Sequence, residues 1–157
     1  MTMRLSPHFL LHEFTKSATA VRLGVSNAPD VDSLANLRRL AVELEKVRAI
    51  TGKPLKIHSG YRSPEVNAAV GGSPKSYHMV GCAADIQAPV GWTNDQLQHA
   101  IHDTAAIDFD MVLEERTKTG VSWLHFAISR DGKPGRRLIK DAELDRVGGA
   151  ITRVSVG

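Results

Sequence analysis

Apolar residues settle into a helical rhythm in the second quarter of the chain. Leu34, Leu37, Leu40, Ala41, Leu44, Val47 and Ile50 recur at three- and four-residue steps until Gly52 and Pro54 stop them. With Asp32 as N-cap, the spacing predicts the longest helix of the protein. Ahead of it, residues 1–30 read as an irregular arm, in which Pro7, Gly24 and Pro29 interrupt every helix but a short one around Leu10 to Phe14. Beyond it, Leu55 to Ser59 reads as a short strand. Ser63 to Val70, with Pro64 early, reads as a short helix ended by Gly71 and Gly72. A loop over 73–81 leads into a strand around Ala83 to Gln87. Thr93 with Gln96 forms a capping box for a helix to about Asp103, with Leu97, Ala100 and Ile101 on one face. Phe109 to Glu115 and Ser122 to Ser129 are apolar runs joined by residues 116–120, a hairpin pattern. From Asp131 the tail is polar and carries no assigned chemistry. Helices and hairpin strands are segregated, so the expected class is α+β: a small, mainly antiparallel sheet with helices packed on one side.

Composition narrows the possibilities. A chain of 157 residues, 42% hydrophobic and 24% charged, fits one domain over 1–157, with a motif-bearing part at about 5–130 and a tail at 131–157. The net charge of +3 comes from 20 basic and 17 acidic residues that are interleaved, a mild bias that suits an anionic polymer. Aromatic residues make up only 5%, leaving few stacking platforms, and no nucleic acid is expected as partner. One cysteine, Cys82, excludes a disulfide framework and a cysteine-rich metal site together. No run approaches the ~18 apolar residues of a membrane span, and the N-terminal residues lack an apolar signal core. Synthesis in the cytoplasm without membrane insertion is therefore expected, with the monomer favoured.

The chemistry-bearing residues fall near strand ends. A catalytic zinc takes about three imidazole or carboxylate ligands and leaves a position for water. His78 precedes a strand, Asp85 lies within it, and His125 lies in the second hairpin strand. A carboxylate inside Cys82-Ala-Ala-Asp-Ile costs several kcal/mol if unpaired. A metal removes that cost, and so would a turn or an ion pair with Arg62; His125 could equally be a satisfied core histidine. Gly81, Ala83 and Ala84 are small enough for backbone to pass close to a metal and a peptide. Strand alternation makes Glu115 the candidate general base and Glu114 an exposed charge. Arg62 can hold a substrate carboxylate bidentately or serve a structural ion pair. Cys82 reads as a buried, inert thiol, and His99 with His102 as a solvated helix face; His58, next to Ser59-Gly-Tyr-Arg, can line the cleft but is not counted among the site residues.

Ser59-Gly-Tyr-Arg-Ser, Ser76-Tyr-His-Met-Val-Gly-Cys-Ala-Ala-Asp and Trp123-Leu-His, in this order, resemble the zinc D-Ala-D-Ala carboxypeptidase family. That family includes phage endolysins cutting between L-Ala and D-Glu and shares its metal-site fold with the hedgehog signalling domain. Leu5-Ser-Pro-His-Phe, Glu13-Phe, Gly24 and Asn27-Ala-Pro are similar to its short phage and prophage branch. The resemblance implies His78, Asp85 and His125 as zinc ligands, Glu115 as catalytic base, Arg62 as a substrate contact and Ser76 as a site-shaping hydroxyl beside the substrate. Many members carry an acidic residue three positions before the last histidine; here it is Ser122, so the base rests on Glu115 alone. The implied activity is hydrolysis of a peptide bond in the peptidoglycan stem peptide, by a lysis enzyme freed by a membrane-permeabilising partner or delivered by a virion. A D-Ala-D-Ala carboxypeptidase and a non-catalytic virion or wall-binding module are the alternatives.

Overall fold

The computed structural model describes the backbone of residues 2–144 and 151–156 and the side chains of residues 2–142. In chain order the elements are β1 (Arg4–Ser6), β2 (Phe9–Leu10), α1 (Leu11–Thr15), α2 (Ala18–Leu23), α3 (Val31–Thr51), β3 (Lys56–Ser59), α4 (Pro64–Ala69), a 3-10 turn (Tyr77–Val80), β4 (Ala83–Gln87), α5 (Asn94–Asp103), β5 (Met111–Thr117), β6 (Ser122–Ala127), β7 (Leu138–Leu144) and β8 (Ile151–Val156). Six strands form one sheet in the order β3-β4-β6-β5-β7-β8, and β1 with β2 forms a second, two-stranded one. All neighbours in the larger sheet are antiparallel except β5 and β7. The class is α+β.

Directly paired residues share a face of a sheet, so the register sorts the side chains. Ile57, Ile86, Leu124 and Glu114 make one row, and Ala84, Phe126, Val112 and Ile139 another, on the same face. Their apolar members join one buried cluster with Leu37, Leu40, Ala41, Leu44 and Val47 of α3 and Leu97 and Ile101 of α5. Truncating any of these leucines to alanine removes about 2–5 kcal/mol of stability. The opposite face, carrying Asp85 and His125, is left for chemistry.

Two boundaries differ from the expected ones. The N-cap of α3 is Asp30, whose carboxylate accepts from Ser33 N at 2.7 Å, and Asp32 sits in the first turn. Val31 is 83% exposed, so the apolar rhythm of the helix begins at Leu34, which packs against the core. The arm also contains more than one short helix: Ser17 caps α2 by accepting from Ala20 N, and Ala20 is the one buried residue of that helix. The arm is stitched to the loop after β3. Tyr61 N donates to Phe14 O at 2.7 Å, and Asn27 Nδ2 donates to both Thr15 O and Tyr61 O. Asn27 Oδ1 accepts from Ser63 N at 2.7 Å, so the arm holds the loop that bears Arg62 from both sides.

The tail is not a mere polar appendage. Residues 138–144 lie parallel to β5, with Ile139 opposite Val112. Lys140, Asp141 and Glu143 break the apolar pattern of this strand, which hides it from a reading by periodicity. Arg137 turns the chain into it at φ 58°, a left-handed conformation rare for a side-chain-bearing residue. Its guanidinium offsets that strain by donating to the carbonyls of Ile107, His102 and Thr104 and lying over the Phe109 ring. Among the described residues no helix is long and apolar enough to cross a membrane.

Candidate metal centre

Three separate elements bring His78, Asp85 and His125 together. Asp85 of β4 and His125 of β6 are paired, so both point to the face away from α3. His78 arrives from the 3-10 turn, which Ser76 caps by accepting from His78 N at 3.2 Å. The turn closes at Gly81, where φ is +76° and a Cβ would stand 2.4 Å from Ser33 O. Gly81 is therefore needed for packing against α3, rather than for the approach of a metal or peptide as its small size suggests. Of the neighbouring alanines, Ala84 faces the core and Ala83 the site side.

One ligand atom from each of the three residues lies within 4.8 Å of the others. Asp85 Oδ1 is 3.3 Å from His78 Nε2 and 3.3 Å from His125 Nδ1. The other nitrogen of His78, Nδ1, is 2.7 Å from Gly60 O, and because a carbonyl only accepts, Nδ1 must carry the hydrogen. Burial opposes charge on His78 and holds its pKa below the ordinary value, against the pull of Asp85. The neutral ring thus turns a lone pair, not a hydrogen, toward the carboxylate oxygen of Asp85. Two buried acceptors facing each other need a cation between them. A histidine whose second nitrogen donates to a backbone carbonyl is also the usual arrangement around a metal. The donor set of two imidazoles and one carboxylate suits zinc.

The surrounding groups set the charge. Burial works against ionised Asp85, but the hydrogen bond and charge of His125 outweigh it and hold its carboxyl far below the ordinary range. Burial likewise disfavours charge on His125, and there Asp85 and Glu115 prevail and raise it. Glu115 lies on the same face as His125, one row along, with Oε1 3.9 Å from His125 Nδ1. Its Oε1 accepts from Trp123 Nε1 at 3.1 Å. Burial first, then the charge of Asp85, push the Glu115 carboxyl up.

Glu114 requires a correction. It does face away from the site, but into the core rather than solvent, and is only 2% exposed. Oε2 meets Arg116 at 2.8 Å, while Oε1 has no partner among the described residues. The expectation of an exposed charge overlooked that the far side of β5 is covered by α5.

Arg62 reaches the site with its guanidinium turned inward. Nη2 donates to Asp85 Oδ2 at 3.2 Å, Nε donates to Ser59 Oγ at 3.2 Å, and the backbone N donates to His78 O at 3.1 Å. The ion pair that residue types left open for Asp85 is thus present alongside the histidine cluster. Beside Arg62 runs an open groove of about 450 Å³, whose lining includes Lys16, His58, Tyr61 and Val66. His58 lines this groove, as its place beside the Ser59-Gly-Tyr-Arg element allows; Lys16 was not singled out from sequence, since an exposed lysine carries no signal until a groove forms next to it. Cys82 is fully buried, which pushes its thiol up, and His99 and His102 are exposed.

No curated protein sequence matches the chain. The family model described as Peptidase M15 matches residues 7–119, which span the Gly60–Arg62 loop, His78, Asp85 and Glu115 and stop short of His125. With well over half of its 157 residues matched, the chain belongs to the Peptidase M15 family, a family of metallopeptidases.

Proposed function

We propose that the protein is a zinc-dependent peptidase that hydrolyses a peptide bond in the stem peptide of bacterial peptidoglycan, in the manner of a phage or prophage lysis enzyme. The observation that carries this reading is the facing pair of His78 Nε2 and Asp85 Oδ1 at 3.3 Å, with His78 Nδ1 committed to Gly60 O. His78, Asp85 and His125 would hold the ion, which when bound supplies a Lewis acid and a water of lowered pKa.

The remaining work falls to the chain's own residues. Glu115, buried enough for its carboxyl to be pushed up, takes a proton from the attacking water and returns it to the leaving amine. Trp123 keeps Oε1 of that carboxylate oriented. Arg62 lies between the groove and Asp85, so it can neutralise the outer oxygen of Asp85 and present its remaining N–H groups to a substrate carboxylate. Ser76 acts through the backbone it caps, keeping His78 at the site. The enzyme would act on the wall after release from the cytoplasm or delivery by a virion.

Digestion of purified sacculi, with product masses read from the same samples, tests the proposal. Loss of turbidity that a chelator abolishes and zinc restores is expected. Whole stem peptides among the products would indicate an endopeptidase, and free D-Ala a carboxypeptidase. A zinc-loaded protein that releases nothing from several wall types would overturn the enzymatic reading.

A further inference from the structure

The C-terminal segment, to which the sequence assigns no chemistry, converges on the turn that carries His78. Tyr77 OH donates to Asp110 Oδ2 at 2.9 Å. Asp110 is 4% exposed, and Arg136 encloses it from the other side: its backbone N and Nε donate to Oδ1 at 3.2 and 2.9 Å, and its Nη2 to Oδ2 at 2.8 Å. A second arginine, Arg130, donates to Lys75 O at 3.1 Å, and its guanidinium carbon lies 5.2 Å from the centre of the Tyr77 ring. The residue before His78 is therefore gripped at its hydroxyl and on its ring, and the backbone two positions earlier is gripped as well. Gly135 makes the approach possible, since a Cβ there would stand 2.0 Å from Phe109 O. The inner side of the turn is held by Gly60 and Arg62.

We propose that Arg136 and Arg130, acting through Asp110 and Tyr77, are positioning residues that clamp the His78 turn and so set the affinity of the metal centre. The inference rests on the metal-site reading above. A turn of four residues held on one side only has room to rotate, and the lone pair of His78 would then leave the direction of Asp85 Oδ1. The bidentate pair between Arg136 and Asp110 is specific in geometry as well as charge, so lysine is an imperfect substitute for the arginine.

The test compares zinc affinity, by competition with a chelator, with thermal stability of the zinc-free protein for wild type, Tyr77→Phe, Arg136→Met and Arg136→Lys. Loss of partners that support a ligand commonly weakens metal binding about 10- to 100-fold. One residue further out, Tyr77→Phe and Arg136→Met are expected to weaken zinc binding roughly tenfold while the folded spectrum is kept, with Arg136→Lys between them and wild type. Lowered zinc-free stability with unchanged zinc affinity would reduce the cluster to structural support and overturn the proposal. Should Arg136→Met fail to fold, Tyr77→Phe, which deletes one hydroxyl, decides alone. If wild type itself takes up no zinc, the metal-site reading fails first, and the two failures are distinguishable.

Discussion

Trp123 Nε1 donates to Glu115 Oε1 at 3.1 Å across the β5–β6 pair, and the two residues are direct register partners. A carboxylate oxygen held this way keeps its partner oxygen free for a water proton, and a hydrogen bond to a charged group contributes about 1.5–3 kcal/mol. Trp123→Phe keeps the ring and removes the donor. Steady-state kinetics on a soluble stem peptide should show kcat reduced roughly tenfold with KM little changed. An unchanged kcat would mean that Trp123 does not orient the base.

Glu114, next in sequence to Glu115, faces the core with one carboxylate oxygen unpartnered among the described residues. Burial pushes its carboxyl above 4.5 in the folded protein, against the nearby charge of Arg116. An acid with a raised folded value contributes most at low pH and loses that contribution as pH rises through the raised value. Glu114→Gln should therefore raise Tm at neutral pH by a few degrees, on the order of 1 kcal/mol, with little gain in acid. Activity should be retained. Calorimetry at two pH values checks this, and a fall in Tm at neutral pH would contradict the account of a buried, poorly satisfied acid.

Ligand binding to the folded state alone adds RT ln(1 + [L]/Kd), about 2.7 kcal/mol at a hundredfold excess over Kd. For a chain of this size that corresponds to a Tm rise of roughly 5–10 °C. Zinc should produce such a rise in wild type, while His125→Ala and Asp85→Asn should lose most of it. An undiminished rise in both variants would place the ion elsewhere.

Asp110 gives an acid-side signature. Hydrogen bonds from Arg136 outweigh burial and hold its carboxyl at about 2, below the ordinary 3.8. A depressed value means that the contribution is whole above about 3.8 and is lost as pH falls toward 2. The gain is small, at most about 1 kcal/mol, because Arg136 is exposed to solvent. Asp110→Asn should flatten the acid limb of the stability curve over that window, as measured by denaturant unfolding, and a limb identical to wild type would contradict the assignment.

Much of the fold was legible because several elements announce themselves. The α3 apolar rhythm, the Thr93–Gln96 capping box of α5 and the hairpin of β5 and β6 each follow from local spacing. Elements without a buried stripe were not legible: α2 buries only Ala20, and β7 is interrupted by charges. Local alternation put Glu114 and Glu115 on opposite faces, but only tertiary packing decides that the face of Glu114 is covered. The site was the hardest to reach from spacing. Asp85 and His125 are 40 residues apart in sequence and become neighbours through the β4–β6 pairing, which no local pattern encodes. Motif order supplied what periodicity could not, and neither revealed that Arg136 would close on Asp110.

The most direct test of the account is a paired measurement on Glu115→Gln: zinc content of the purified protein, and hydrolysis of a soluble stem peptide. Removing a general base typically costs about 10²–10⁴-fold. One zinc per chain is expected, as in wild type, with kcat reduced by that factor. A variant that binds zinc and hydrolyses the peptide at the wild-type rate would contradict the assignment of Glu115 and, with it, the proposed mechanism.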